Sequence, residues 1–276
     1  MVKSILVHIH DDYAQDARLA VALDLARACG AHLCCVQANP FTSYVLGDPW
    51  GGFYGSTTLL DALRTSADEQ RARIEQRLKS EGVTWDWTYV PGEPAQVLVS
   101  CGRLADLLIL SREEKGRAEK GREDKPAPLS IVSDVAIHAR APVLVVPPEA
   151  DRFRADGPVV FAWNGSLEAA HSLRLTLSLL RLATEVHIVT VSDDEIGFPP
   201  TDASRYLSRH GISSELHEWP RKGRSIAQAL SDAADELNAA YIVMGAYGHS
   251  RLRETVLGGA TRDLLAGATV PLLLAH

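Results

Sequence analysis

The feature that most constrains this chain is that it states one pattern twice. Short apolar runs alternate with segments of helical spacing, and the series starts again near residue 157. In the first half the strand-like runs are Lys3–Ile9, His32–Val36, Thr84–Val90, Asp106–Leu110 and Pro142–Val146. In the second they are Val159–Trp163, Val186–Val191, Ser213–Trp219, Tyr241–Met244 and Pro271–Ala275. The helical segments between them include Leu19, Ala22, Leu23 and Ala26 in the first half, and Ala170, Leu173, Leu177 and Leu180 in the second. Each half therefore reads as five strands separated by four helices. Mostly apolar strands joined by helices are buried on both faces of a parallel sheet. Right-handed crossovers make that sheet doubly wound. The expected class is α/β, with two tandem doubly wound five-stranded parallel sheets in units spanning 1–149 and 156–276. Ile5–His10 matches Val159–Asn164, Leu33–Gln37 matches His187–Val191, and Asp106–Ser111 matches Ala240–Gly245. Units of about 120–150 residues are of ordinary domain size.

Local signals add detail. Asp12 and Gln15 have the spacing of a box that starts a helix, Gly30 ends that helix, and Ser166 is placed to cap the corresponding helix of the second half. Pro147–Gly157 reads as a polar linker. Asn39–Ser56 is a long loop rich in glycine and aromatics, and Arg112–Pro128 is a segment of mixed charge with almost no apolar content.

Composition narrows the function classes. The chain of 276 residues is 46% hydrophobic and carries a net charge of −7. That balance argues against general binding to nucleic acid or to an anionic membrane. No apolar run approaches the length of a membrane span, and Met1–Asp12 has no signal-peptide pattern, so a cytoplasmic location is expected. Cys29, Cys34, Cys35 and Cys101 form no CxxC pattern and read as reduced, packed thiols. A zinc site from His8, His10, His32 and a cysteine lacks a recognised ligand spacing.

The chemistry concentrates in Ala240–His276. Tyr241–Met244 is a buried strand ending at Gly245; Gly248 follows, then Gly258 and Gly259, and Thr261 opens a helical segment. Glycines let backbone N–H groups approach an oxyanion, and a helix N-terminus favours negative charge. His249, Arg251, Arg253 and Arg262 add positive or potentially positive groups. The stretch reads as an anion cradle. In a doubly wound sheet it faces Asn164 across the crevice where the strand order reverses.

The spacing G-x2-G-x9-G in Gly245, Gly248 and Gly258, with the fragments VVFAWNGS and VMGAYGHSRLRE…LGGATR, resembles the nucleotide loop of ATP-binding universal stress proteins. The resemblance covers the chain as two repeats and identifies it as a tandem-domain member of that family. It implies a strand order 3-2-1-4-5 in each half and an internal pseudo-dimer paired through the last strands, Pro142–Val146 and Pro271–Ala275, with further homodimerisation. It also implies that ATP or a related adenine nucleotide, with Mg²⁺ as a possible companion, is held by Asn164, Val191, Gly245, Gly248, His249, Arg251, Gly258, Gly259, Ala260 and Thr261. This chain departs from the family at two of these. Gly259 stands where Ser or Thr directly follows the third glycine, with Ala260 next, and Asn164 stands where an Asp is usual.

The first half departs further. Ser111, Glu114 and Leu129 replace the three glycines, and His10 replaces the Asp. Two carboxylates, Glu113 and Glu114, would face a polyphosphate there, so no ATP is expected in the first half. The functional expectation is a stress-response module whose conformation or partner depends on nucleotide in the second half. A slow ATP hydrolase is the first alternative, with His249 and Glu254 as candidate bases; no Walker motif is present. A dimeric scaffold for a non-nucleotide ligand, suggested by Phe41–Tyr54, is the second. A receiver reading of Asp11-Asp12 fails, because Tyr89-Val90-Pro91 ends the third strand where an acidic residue is needed.

Overall fold

The structure, a computed structural model, describes residues 1–39, 57–112, 131–191, 199–246 and 259–276. The first half contributes strands β1 (Ser4–Ile9), β2 (His32–Asn39), β3 (Trp85–Pro91), β4 (Leu107–Ser111) and β5 (Val143–Val146). Its helices are α1 (Gln15–Cys29), α2 (Thr57–Lys79), α3 (Pro94–Cys101) and α4 (Ile131–His138), with a 3₁₀ turn at Gly102–Leu104. The second half contributes β6 (Val159–Ala162), β7 (Val186–Val191), β8 (Glu215–Trp219), β9 (Tyr241–Gly245) and β10 (Leu272–Ala275). Its helices are α5 (Leu167–Leu180), α6 (Pro200–Arg209), α7 (Ile226–Glu236) and α8 (Gly259–Gly267).

All ten strands form one sheet in the order β3-β2-β1-β4-β5-β10-β9-β6-β7-β8. Each half therefore has the expected order 3-2-1-4-5, and every pairing within a half is parallel. The two five-stranded sheets are joined into one by the antiparallel pair β5–β10, in which Leu144 faces Leu273. This is the last-strand pairing that the resemblance implied.

The registers fix which residues correspond. Ile5 pairs with Leu33 and Leu107, as Val159 pairs with Val186 and Tyr241. His10 thus corresponds to Asn164 and Ser111 to Gly245. For the second strands the structure corrects the sequence alignment by one residue: Leu33 corresponds to Val186, and Cys34 to His187. Two apolar runs of similar length leave such a slip undetected until hydrogen-bond register decides it.

The sheet is covered on both faces. On one face Ile5, Val7, Phe161 and Val243 pack with residues of α1, α2, α5 and α6. On the other, Leu6, Leu108, Val160 and Ile242 pack with α3, α4, α7 and α8. Alternate residues of a strand point to opposite faces, so the apolar runs fill both layers. Fully burying one such Leu, Val or Ile contributes roughly 1.5–3 kcal/mol. The segment read as a polar linker carries an apolar anchor. Phe153 and Ala155 are buried. The Phe153 ring lies 5.1 Å from that of Tyr241. Its backbone N–H donates to Asp24 Oδ2 at 2.9 Å. The connection thereby ties α1 to β9. Among the described residues, no helix is long and apolar enough to cross a membrane.

Candidate functional site

The site end of the second half is built where β6, β7 and β9 finish side by side. Beyond β6 the chain turns at Gly165, whose φ of 72° is a left-handed conformation that glycine adopts without strain. The turn is held by Asn164 Oδ1, which accepts from Ser166 N–H at 3.1 Å. Ser166 then caps α5 as expected, its Oγ accepting from Ala169 N–H at 3.1 Å. Asn164 is left exposed at this edge. Val191 ends β7, half-buried beside Trp219 of β8. Its neighbour Thr190 is buried, with an Oγ1 that has no hydrogen-bond partner.

Gly245 ends β9, and its lack of a side chain has a definite cause. A Cβ there would lie 2.5 Å from the Glu168 carbonyl carbon and 2.6 Å from Ala169 N. The first turn of α5 rests on this glycine, which carries the strand into the crevice between β6 and β9. Ala246 follows, its N–H donating to Ala275 O at 2.8 Å and its carbonyl meeting His276 Nδ1 at 2.9 Å. Across the gap in described residues, α8 begins at Gly259 with no acidic residue in its first turn. Among the described residues, a Cβ on Gly259 would meet nothing within 4 Å. Packing against those residues therefore does not require glycine at that position. Thr261 is buried in the same turn.

Of the residues expected from sequence, the structure brings Asn164, Val191 and Gly245 to one end of the sheet, with Gly259, Ala260 and Thr261 at the start of α8. Gly248, His249, Arg251, Gly258 and the candidate base Glu254 lie outside the described residues, as do the aromatic loop 40–56 and the charged residues 113–130. Arg112 is described, and it leaves the expected charged loop to reach the other half, donating through Nη1 to Ala268 O at 3.0 Å.

The matching end of the first half is filled. Arg18 of α1 is 1% exposed. Its guanidinium donates to His8 O at 2.6 Å and to His10 O at 3.1 Å. It also donates to Gln15 Oε1 at 2.9 Å and to Ser111 Oγ at 2.9 Å, and it pairs with Asp12 at 3.2 Å. One buried cation thus laces β1 to β4 where the second half has Gly245. Burial lowers the pKa of Arg18, and Asp12 acts against that. The expected helix-starting box is absent. Asp12 Oδ1 accepts from Ala14 N–H at 2.8 Å, and Gln15 Oε1 accepts from His10 N–H at 2.9 Å. The reason is that both side chains are drawn to Arg18 and to the longer turn that houses it.

Arg18 went unread in the sequence, although a signal exists: it lies one turn before Ala22 on the buried stripe of α1. The zinc set considered from sequence is split. His8 and His10 stack on β1 with centroids 5.7 Å apart, whereas His32 pairs with Ser4 at the opposite end of that strand. His8 is held well below the ordinary histidine pKa, by burial first and then by the charge of Arg18. The four cysteines are free thiols; Cys35 is buried and pushed up to about 12 by that burial, but Cys101 is exposed, against the expectation of packing.

Comparison with known proteins agrees with this architecture. Residues 216–276 match the universal stress protein family model. A universal stress protein of Synechocystis is 30% identical over 138 residues, which are 48% of this chain and 46% of that relative. The match thus spans about half the relative's length. A universal stress protein from Archaeoglobus fulgidus superposes with a TM-score of 0.74 at 16% identity, covering 99% of this chain and 97% of that one. A universal stress protein from the same organism, solved in complex with dAMP, is 23% identical and covers 45% of this chain and 100% of that chain, with a TM-score of 0.34. At 16% identity the likeness to the full-length neighbour speaks for the fold. Residues 216–276 thus resemble the universal stress protein family in sequence, and the whole chain shares the fold of its solved members.

Proposed function

We propose that this chain is a universal stress protein whose second half binds one adenine nucleotide, ATP or a close relative, and that occupancy sets the conformation or partner choice of the whole chain. The observation that carries this reading is the asymmetry at the two crevices. A buried arginine and its partners fill the first; Gly245, an exposed Asn164 and the α8 N-terminus border the second. Peptide N–H groups at a helix start suit phosphate oxygens. In this reading Gly245, Gly248, Gly258, Gly259, Ala260 and Thr261 line the phosphate path, with His249 and Arg251 as its cationic neighbours. Asn164 and Val191 hold the nucleoside end. Mg²⁺ would accompany a triphosphate. Units 1–149 and 156–276, a cytoplasmic setting and a homodimer complete the proposal.

The test is titration of the full chain with ATP, followed calorimetrically. Gly248→Val and Gly259→Val are expected to abolish binding while the circular dichroism spectrum stays that of the parent. Unchanged affinity in both variants would refute the loop assignment. Single-turnover phosphate release on the same samples separates a binding module from a slow hydrolase: binding without release supports the module.

A further inference from the structure

A second group of side chains converges far from the crevice, on the outer strands of the second half. His187 is the second residue of β7 and pairs in register with Glu215 of β8; Val189 pairs with His217. Glu215 and His217 are two apart on one strand and so share a face with His187. His187 Nδ1 lies 3.1 Å from His217 Nε2 and 3.6 Å from Glu215 Oε2. His217 Nε2 lies 3.7 Å from the same oxygen. His187 is 3% exposed, whereas Glu215 and His217 open to solvent. Its other nitrogen, Nε2, is buried and makes no hydrogen bond, with Glu185 Oε2 standing 3.3 Å away.

We propose that His187, Glu215 and His217 form a binding site for a divalent first-row transition ion, with zinc the best fit. Bonds of roughly 2.0–2.2 Å from a tetrahedral ion hold nitrogen and oxygen ligands roughly 3.3–3.5 Å apart. The observed triangle is close to one face of that tetrahedron. Two imidazoles and one carboxylate are a zinc donor set that leaves the fourth position to water, and calcium or magnesium would ask for more oxygens. Glu185 stands where a carboxylate can take the second ring N–H of a metal-bound imidazole, which fixes its tautomer and orientation. Solvent reaches the site past Glu215 and His217. Val191, at the nucleotide end of the same strand, is four residues on, about 13 Å away at strand rise. The site is thus independent of the proposed nucleotide.

The first half holds a lesser version at the matching place. Cys34 corresponds to His187 and Asp86 to Glu215 by register, and donor atoms of His32, Cys34 and Asp86 lie within 4.8 Å of one another. There His32 is already engaged by Thr84 and Asp86, each at 3.1 Å. With one imidazole where the second half has two, that set is not the one proposed.

The experiment uses the chelator-stripped full chain, titrated with Zn²⁺ against a chromophoric chelator and, separately, with Co²⁺ followed in the visible. One tight zinc equivalent and a tetrahedral Co²⁺ spectrum are expected. His217→Ala and Glu215→Gln, both on an outer strand, should each weaken that equivalent at least about tenfold. Cys34→Ser should leave it within twofold. Absence of a tight equivalent in the parent, equal affinity in both β8 variants, or its loss in Cys34→Ser instead would overturn the proposal.

Discussion

The two halves of this protein share strand order, register and helix placement, yet they end differently at the same place. In the first, the helix starts two residues later when counted from the matching positions His10 and Asn164, and the turn accommodates Arg18, which ties His8, His10, Gln15 and Ser111 together. In the second, the short turn through Gly165 brings the first turn of α5 down onto Gly245. The lesson is that a doubly wound sheet places a crevice at its switch point but does not keep it open. One buried side chain can convert a ligand cleft into a structural joint, with the scaffold unchanged.

That contrast can be broken from either side. The largest effect is expected from Arg18→Ala. Removing the cation strands buried carbonyls and the Asp12 carboxylate, at about 3–5 kcal/mol, a loss that chemical denaturation measures directly. Gly245→Ala comes next. Its new methyl meets the α5 backbone, which cannot move aside, and about 2–3 kcal/mol of stability should go. The residue at the matching position of the first half, Ser111, already tolerates a side chain, so Ser111→Ala should cost less than Gly245→Ala.

A smaller effect separates the halves by pH. His8, beside Arg18, has a lowered pKa; Ala162 corresponds to it in the second half. Below about pH 6.5 the unfolded chain takes up a proton that the folded ring refuses. Stability therefore falls as the pH drops from there towards the lowered folded value, by at most about 1.4 kcal/mol per pH unit for one proton. His8→Leu should flatten that slope in denaturation series between pH 7 and 5. The smallest effect on stability belongs to Gly259→Val, within about 0.5 kcal/mol, because a Cβ there meets none of the described residues. A larger loss would mean that this glycine serves the fold and not a ligand.

Much of this was legible in the residues. Apolar runs such as Tyr241–Met244 and Val159–Trp163 reported strands buried on both faces, and Ser166 reported a helix start. The resemblance supplied the strand order and the β5–β10 seam. What escaped was set by register and by tertiary contact. The one-residue slip between Leu33 and Val186 needed hydrogen bonds to resolve. That Gly245 is also demanded by packing, with the backbone of α5 against it, needed the tertiary contact to be seen. Arg18 passed for one more charge on a long helix, because a helix wrapped by core on most sides gives little amphipathic contrast. The His187 cluster was missed for a related reason: its members are local neighbours only across strands, and Glu215 and His217 showed merely as alternation.

The most direct test of the central claim is the stoichiometry of ATP on the full-length chain by equilibrium dialysis. One nucleotide per chain, lost in Gly248→Val and Gly259→Val, is the predicted result. Two per chain would show that Arg18 does not close the first crevice, and none would show that the glycine-lined end of the second half is not a nucleotide site.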